Sequence, residues 1–173
     1  MALSNETIII TGAAGNLGSV VARTLALRGA RVICADRTER AFHTGHDGID
    51  PDRILWCSGH DLADKAAMDA VVAAAVARFG KVTGLVNTVG GFAVGRVTAE
   101  ALDQWDHLMR LNARVALVTS AAVLPAMQAA GHGTHRAHRG ATGHQGGGGA
   151  GGLRRVQSRR DPAGGVNRRR TSR

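Results

Sequence analysis

Eight residues, TGAAGNLG from Thr11 to Gly18, constrain this chain more than any other stretch. They join a β-branched run, TIIIT (7–11), to a segment that carries Leu17, Val20, Val21 and Leu25 on one helical side. Glycines between a strand and a helix start let the backbone turn tightly. They also leave the free N–H groups at the positive end of the helix dipole open to an anion. In this reading Gly12 permits the turn, Gly15 lets the backbone approach a pyrophosphate, and Gly18 allows the helix to pack close to the strand. A glycine triplet alone also occurs in ordinary turns, so its surroundings decide.

Those surroundings alternate. Short apolar runs at 7–11 (TIIIT), 31–35 (RVICA), 53–57 (RILWC) and 82–87 (VTGLVN) are separated by helical patterns at 16–29 and 63–79, and a longer one covers 99–128. Such alternation is the pattern of βαβ units, and it predicts an α/β fold: a Rossmann-type, doubly wound parallel sheet. The stretch TGHDGIDPD (44–52) has the composition of a surface loop. Cys34 and Cys57 fall inside apolar runs, where a free thiol packs as a small hydrophobe, so both are expected to be buried structural thiols. The start MALSNETIII lacks a basic segment followed by a long apolar run, and no stretch is long and apolar enough for a membrane span. A cytoplasmic protein with no membrane partner is the expectation.

Charge divides the chain unevenly. Residues 1–133 hold 12 Lys+Arg and 12 Asp+Glu, whereas 134–173 hold ten Arg against the single acid Asp161, so the formal net charge of +9 belongs to the C-terminal segment. That segment also has ten Gly, no aromatic residue and no helical or strand period. It is therefore expected to be a disordered basic tail, which leaves the sheet incomplete. Its arginines could bind nucleic-acid phosphates nonspecifically, although no aromatic is interleaved to stack on bases. His132, His135, His138 and His144 could chelate a metal, but no Cys or acid is spaced among them, and no metal site is assigned.

Further candidates sit where an open parallel sheet binds ligands, at the C-terminal ends of its strands. Asp36 ends the second run, 18 residues past Gly18, where a carboxylate can hydrogen-bond an adenosine ribose and repel a 2′-phosphate. The alternative is a solvated loop acid, and Arg37 beside it could hold that phosphate. Asp61 and Leu62 follow the third run, and Asn87 to Gly91 (NTVGG) follow the fourth. Asn112 lies in the middle of a helical stretch, either as a polar residue facing solvent or as part of a site.

In this order and spacing the residues resemble the short-chain dehydrogenase/reductase family over about residues 5–133. The resemblance makes 1–133 an NAD(P)-binding Rossmann domain and 134–173 a separate basic segment. It implies that Gly12, Asn16, Leu17 and Gly18 cradle the pyrophosphate, with Asp36 at the ribose and Asp61 and Leu62 at the adenine. Asn87 and Gly90 form the floor, and Asn112 matches the asparagine that holds a water in the family's proton relay. NAD is expected over NADP, with a small alcohol or carbonyl compound as the substrate and a homo-oligomer as the intact form. Two departures stand out: Asn16 follows the middle glycine, Gly15, as in atypical members, and NTVG keeps only the first Asn and the Gly of the family's Asn-Asn-Ala-Gly. A larger one is that the family's reaction uses a Tyr-x-x-x-Lys pair, whereas this chain has no tyrosine and no lysine after Lys81.

A one-nucleotide shift of reading frame changes the tail's character. Codons for Leu153–Arg154 then permit tyrosine, and codons for Gln157–Ser158 permit lysine, so a Tyr-x-x-x-Lys pair is allowed there but not forced. Over His135 to Arg139 the same shift permits Ile-Val-x-Ile and a small residue, a buried strand. The expectation is a frame lost between Gly131 and Thr134, a chain that is catalytically inactive as written, and an aggregation-prone product whose fourth strand is an unpaired apolar edge.

Overall fold

The computed structural model describes residues 3–38, 48–96, 98, 101–137 and 154–157. Strand β1 (Thr7–Thr11) is buried at every position, as its β-branched run requires of a strand covered on both faces. Helix α1 (Asn16–Leu27) follows the glycine loop, and strand β2 (Arg31–Ala35) lies parallel to β1, with Ile9 opposite Ile33. A single 3₁₀ turn (Pro51–Arg53) leads into strand β3 (Ile54–Cys57), with the Asp50 carboxylate accepting from the Asp52 N–H. Helix α2 (Lys65–Phe79) starts under an Asp64 cap and stops at Gly80, whose φ of 80° suits only a residue without Cβ. Strand β4 (Gly84–Asn87) returns to the other side of β1, with Leu85 opposite Ile9.

Side chains alternate across these strands and build two cores. Ile9, Ile33 and Leu85 face α2 and the later helix, packing with Met68, Val71, Val123 and Met127. Ile8, Ile10, Val32 and Cys34 face the other way, onto Ala22 and Ala26 of α1. Both cysteines are free and buried, as expected, and burial pushes the Cys34 thiol up to about 12.

The helix expected over 99–128 is broken in register. Helix α3 (Ala101–Met109) passes through a π turn (Arg110–Arg114) into helix α4 (Val115–Ala129). Along it Leu102, Trp105, Met109, Leu117 and Leu124 remain exposed.

Two expectations about the C-terminal segment are corrected. Residues His132–Ala137 form strand β5, parallel to β4 with Leu85 opposite His135, so β4 is a paired strand rather than an open edge. Arg154–Gln157 form strand β6, antiparallel to β5, in a segment expected to hold no strand. Among the described residues the order is β3-β2-β1-β4-β5-β6. The reason lies in tertiary position. Helix α4 delivers the chain alongside β4, where backbone groups pair whatever the side chains, and Gly133 packs so tightly on Met127 that a Cβ would lie 2.8 Å from that side chain. Of the loop expected at 44–52, residues 48–52 are described; the rest of the Gly/Arg segment lies outside the described residues.

A polar cluster ties β5 to the core. Buried Asn87 receives hydrogen bonds at Oδ1 from Thr11 Oγ1 and Thr119 Oγ1, each at 2.9 Å, which turns its Nδ2 toward His135 Nε2 at 3.3 Å. With that orientation Nε2 accepts, so the ring is neutral and carries its proton on Nδ1. Burial pushes the His135 pKa down from its ordinary value of 6.5. The unfolded chain therefore binds this proton more readily than the folded one, and the stabilisation is complete above the unfolded value and lost as pH falls through the folded one. The urea unfolding midpoint should drop between about pH 7.5 and pH 5, and His135→Gln should flatten that drop. An equal drop in the variant would assign it to other groups.

Candidate functional site

The glycine loop is shaped by contacts that exclude side chains. Gly12 has φ of 72°, and a Cβ there would lie 3.0 Å from Thr88 Oγ1 and from the Val89 nitrogen. A Cβ on Gly18 would run into the Gly12 carbonyl, so the first turn of α1 sits directly on the turn that starts it. The loop closes with Gly15 N–H donating to Gly12 O at 3.0 Å. Gly15 is the N-cap, and among the described residues no side chain caps this helix start and no acid lies in its first turn. Free N–H donors therefore meet the dipole's positive end, an arrangement suited to a phosphate.

Asp36 is fixed beside this loop. Its Oδ2 accepts from the Ala14 N–H at 3.0 Å and its Oδ1 from the Thr38 N–H at 3.3 Å, so the half-buried carboxylate is tied to the glycine turn. Asp61 stands across the cleft, with Oδ1 accepting from the Ala63 N–H at 3.0 Å and Oδ2 from Arg110 Nη2 at 2.6 Å. The Arg110 hydrogen bond, followed by that of Ala63, holds the Asp61 carboxyl below the usual carboxylate range. Asn112 does not face solvent idly: its Oδ1 accepts from Gly91 N–H and its Nδ2 donates to Gly91 O, each at 2.9 Å.

Gly12, Gly15, Asp36, Asp61 and Arg110 line a cleft of about 300 Å³ at the C-terminal ends of the parallel strands, and Asn112 with its partner Gly91 stands outside that lining. The cleft lies where β2 and β4 leave opposite sides of β1, the switch point at which open α/β sheets bind ligands. Of the residues read from sequence, Gly12, Gly15, Asp36, Arg37, Asp61, Leu62 and Gly90 line it. Asn16 and Leu17 are exposed at the α1 start, Gly18 is buried behind the turn, and Asn87 is buried beneath the cleft. Sequence reading missed His60, His107 and Arg110, which also line it. Thr88, inside the Asn87 to Gly91 stretch read as a strand-end candidate, lines it as well. It braces the site, its hydroxyl donating to Thr11 O at 2.7 Å.

A parallel sheet with a side-chain-free turn under an uncapped helix and a carboxylate at the next strand end defines a Rossmann-type nucleotide-binding protein. The family model for short-chain dehydrogenases matches residues 6–135, and the chain belongs to that family. It is 29% identical over 131 residues to an uncharacterized oxidoreductase of Staphylococcus haemolyticus, covering 76% of this chain and 56% of that protein. An uncharacterized oxidoreductase of Staphylococcus aureus is 26% identical over 132 residues, covering 75% and 57%. Among solved structures, a Burkholderia xenovorans protein assigned to the short-chain dehydrogenases/reductases superimposes with a TM-score of 0.69 at 31% identity, covering 78% of this chain and 54% of that one. The Serratia marcescens short-chain dehydrogenase/reductase gives 0.59 at 28% identity, covering 73% and 55%. This chain thus spans just over half the length of the relatives it matches.

The family implies an NAD(P) cofactor, and the residues present fit one: the glycine cradle, the helix start and Asp36 answer to a pyrophosphate and a ribose. Gly18→Ala should cost about 1–3 kcal/mol of stability through overpacking against the Gly12 carbonyl, read by urea denaturation. A loss within error would mean that the turn relaxes freely and the close approach is not a constraint.

Proposed function

We propose that this chain is the nucleotide-binding half of an NAD(H)-dependent oxidoreductase of alcohols or carbonyl compounds, and that as written it binds the dinucleotide without turning substrate over. The observation that carries the reading is the Asp36 carboxylate, held toward the glycine turn by Ala14 N–H, where it can accept from ribose hydroxyls and repel a 2′-phosphate. When bound, NAD supplies the hydride acceptor. The chain's own residues cradle its phosphates at Gly12 to Gly18, accept from its ribose at Asp36, and hold Gly91 through Asn112. Proton transfer to the substrate oxygen has no tyrosine to carry it.

A lost reading frame near Gly131 to Thr134 accounts for that gap. Strand β5 supports it: HGTHRA is strongly polar for a strand with neighbours on both sides, where parallel sheets run apolar. The shifted frame permits isoleucine where His135 stands and valine where Arg136 stands, opposite Leu85 and Val86. The exposed apolar row on α3 and α4 supports an intact form that covers this face by self-association, and a tendency of this chain to aggregate.

NADH binding followed by fluorescence should be tighter than NADPH binding, and Asp36→Ala should narrow the difference by about tenfold, the loss of one charge-assisted contact and one repulsion. Equal affinity for both cofactors in the parent chain would remove the assignment to NAD. Alcohol oxidation by the purified 173-residue chain would refute inactivity. Sequencing the coding DNA across codons 125–173 decides the frame.

A further inference from the structure

The π turn at Arg110–Arg114 does more than interrupt a helix. Within its five residues three side chains reach out to the two loops that frame the cleft. Arg110 bonds the Asp61 carboxylate, Arg114 Nε donates to Ala63 O at 3.0 Å, and Asn112 bonds both backbone groups of Gly91. The fit is close: a Cβ on Gly91 would lie 2.7 Å from Leu111 Cδ2, and one on Gly90 2.9 Å from Asn112 Oδ1. Arg110 and Arg114, four residues apart, lie on one face and reach the loop after β3, while Asn112 reaches the loop after β4.

The Arg110–Asp61 pair is half-exposed on both sides, and pairs of that kind add little to stability. Its effect is geometric. Together with the Ala63 N–H it engages both Asp61 oxygens, leaving only their remaining lone pairs to face the cleft. A carboxylate fixed in this way accepts from an N–H donor and opposes another acceptor.

We propose that Arg110 is a positioning residue that aims the Asp61 carboxylate at the amino group of the bound nucleotide's base, so that the cleft selects a 6-amino purine over a 6-oxo purine. This rests on the dinucleotide reading above. Arg110 need not touch the ligand; it acts through Asp61.

The test compares NADH with its hypoxanthine analogue, which carries a 6-oxo group, on the full chain and on Arg110→Ala and Arg110→Lys. The original chain should prefer NADH. Arg110→Ala should weaken NADH binding by about two- to fivefold, the scale of an exposed ion pair, and reduce the preference by the same factor, while Arg110→Lys restores most of both. A merely structural role would weaken both ligands equally and leave the ratio unchanged, which would overturn the proposal. A ligand-free readout runs beside it: amide exchange at Ala63 should quicken in Arg110→Ala while exchange at Gly91, held by Asn112, stays as it was. Unchanged exchange at Ala63 would also overturn it. If the original chain binds neither dinucleotide, the nucleotide reading falls and this inference with it; if it binds both equally, this inference alone falls.

Discussion

Helix α1 begins on top of its own entry turn, and this single close approach organises the site. Because Gly18 rests on the Gly12 carbonyl, the uncapped first turn of α1 is held directly against the turn that leaves β1. The loop after β4 is then drawn in from the other side, with Thr88 donating to Thr11 O and lying against Gly12. Everything else in the cleft is measured from that pair of contacts. Asp36 reaches it because β2 runs in register with β1, and Asp61 because β3 does the same one strand further out.

Features set by local pattern were legible in the chain before any coordinates. The strands β1 to β4 are short apolar runs, and the turn residue Gly12 between the first of them and α1 takes a positive φ that only glycine adopts freely. Asp36, Asp61 and Gly90 could be placed because strand ends in a parallel sheet all open onto one crevice. What stayed hidden was register within a helix. An α-helical wheel drawn through 99–128 cannot show that five residues widen into a π turn, and so it cannot show Arg110 arriving at Asp61 or Asn112 arriving at Gly91. His60 and His107 were hidden for a related reason, since a lone histidine beside a strand end or on a helix face has no signature of its own.

Strand β5 was illegible for a different reason. Nothing in HGTHRA favours a buried parallel strand, and its place comes from α4 delivering the chain beside β4 and from Gly133 leaving room for Met127. Tertiary position thus overrode local preference, and the consequence is visible in the chemistry of the strand. His135 meets Asn87, a residue already committed through Oδ1 to Thr11 and Thr119, so the imidazole must stay neutral to fit.

Strands β4 and β5 pair along their backbones but not in the character of their side chains. Across the rest of the parallel sheet, each apolar side chain meets another: Ile9 with Ile33 and Leu85, Ile10 with Cys34 and Val86. At β5 the correspondence stops, and Leu85 and Val86 face His135 and Arg136. Sheets buried on both faces are stabilised by cross-strand apolar contact, and a sequence shaped for this position would continue the pattern. A shift of one nucleotide over the same codons permits, without forcing, isoleucine and valine at these two places. The backbone pairing of β5 therefore follows from the place α4 gives it beside β4, while its side chains break the apolar pattern that the other strands keep.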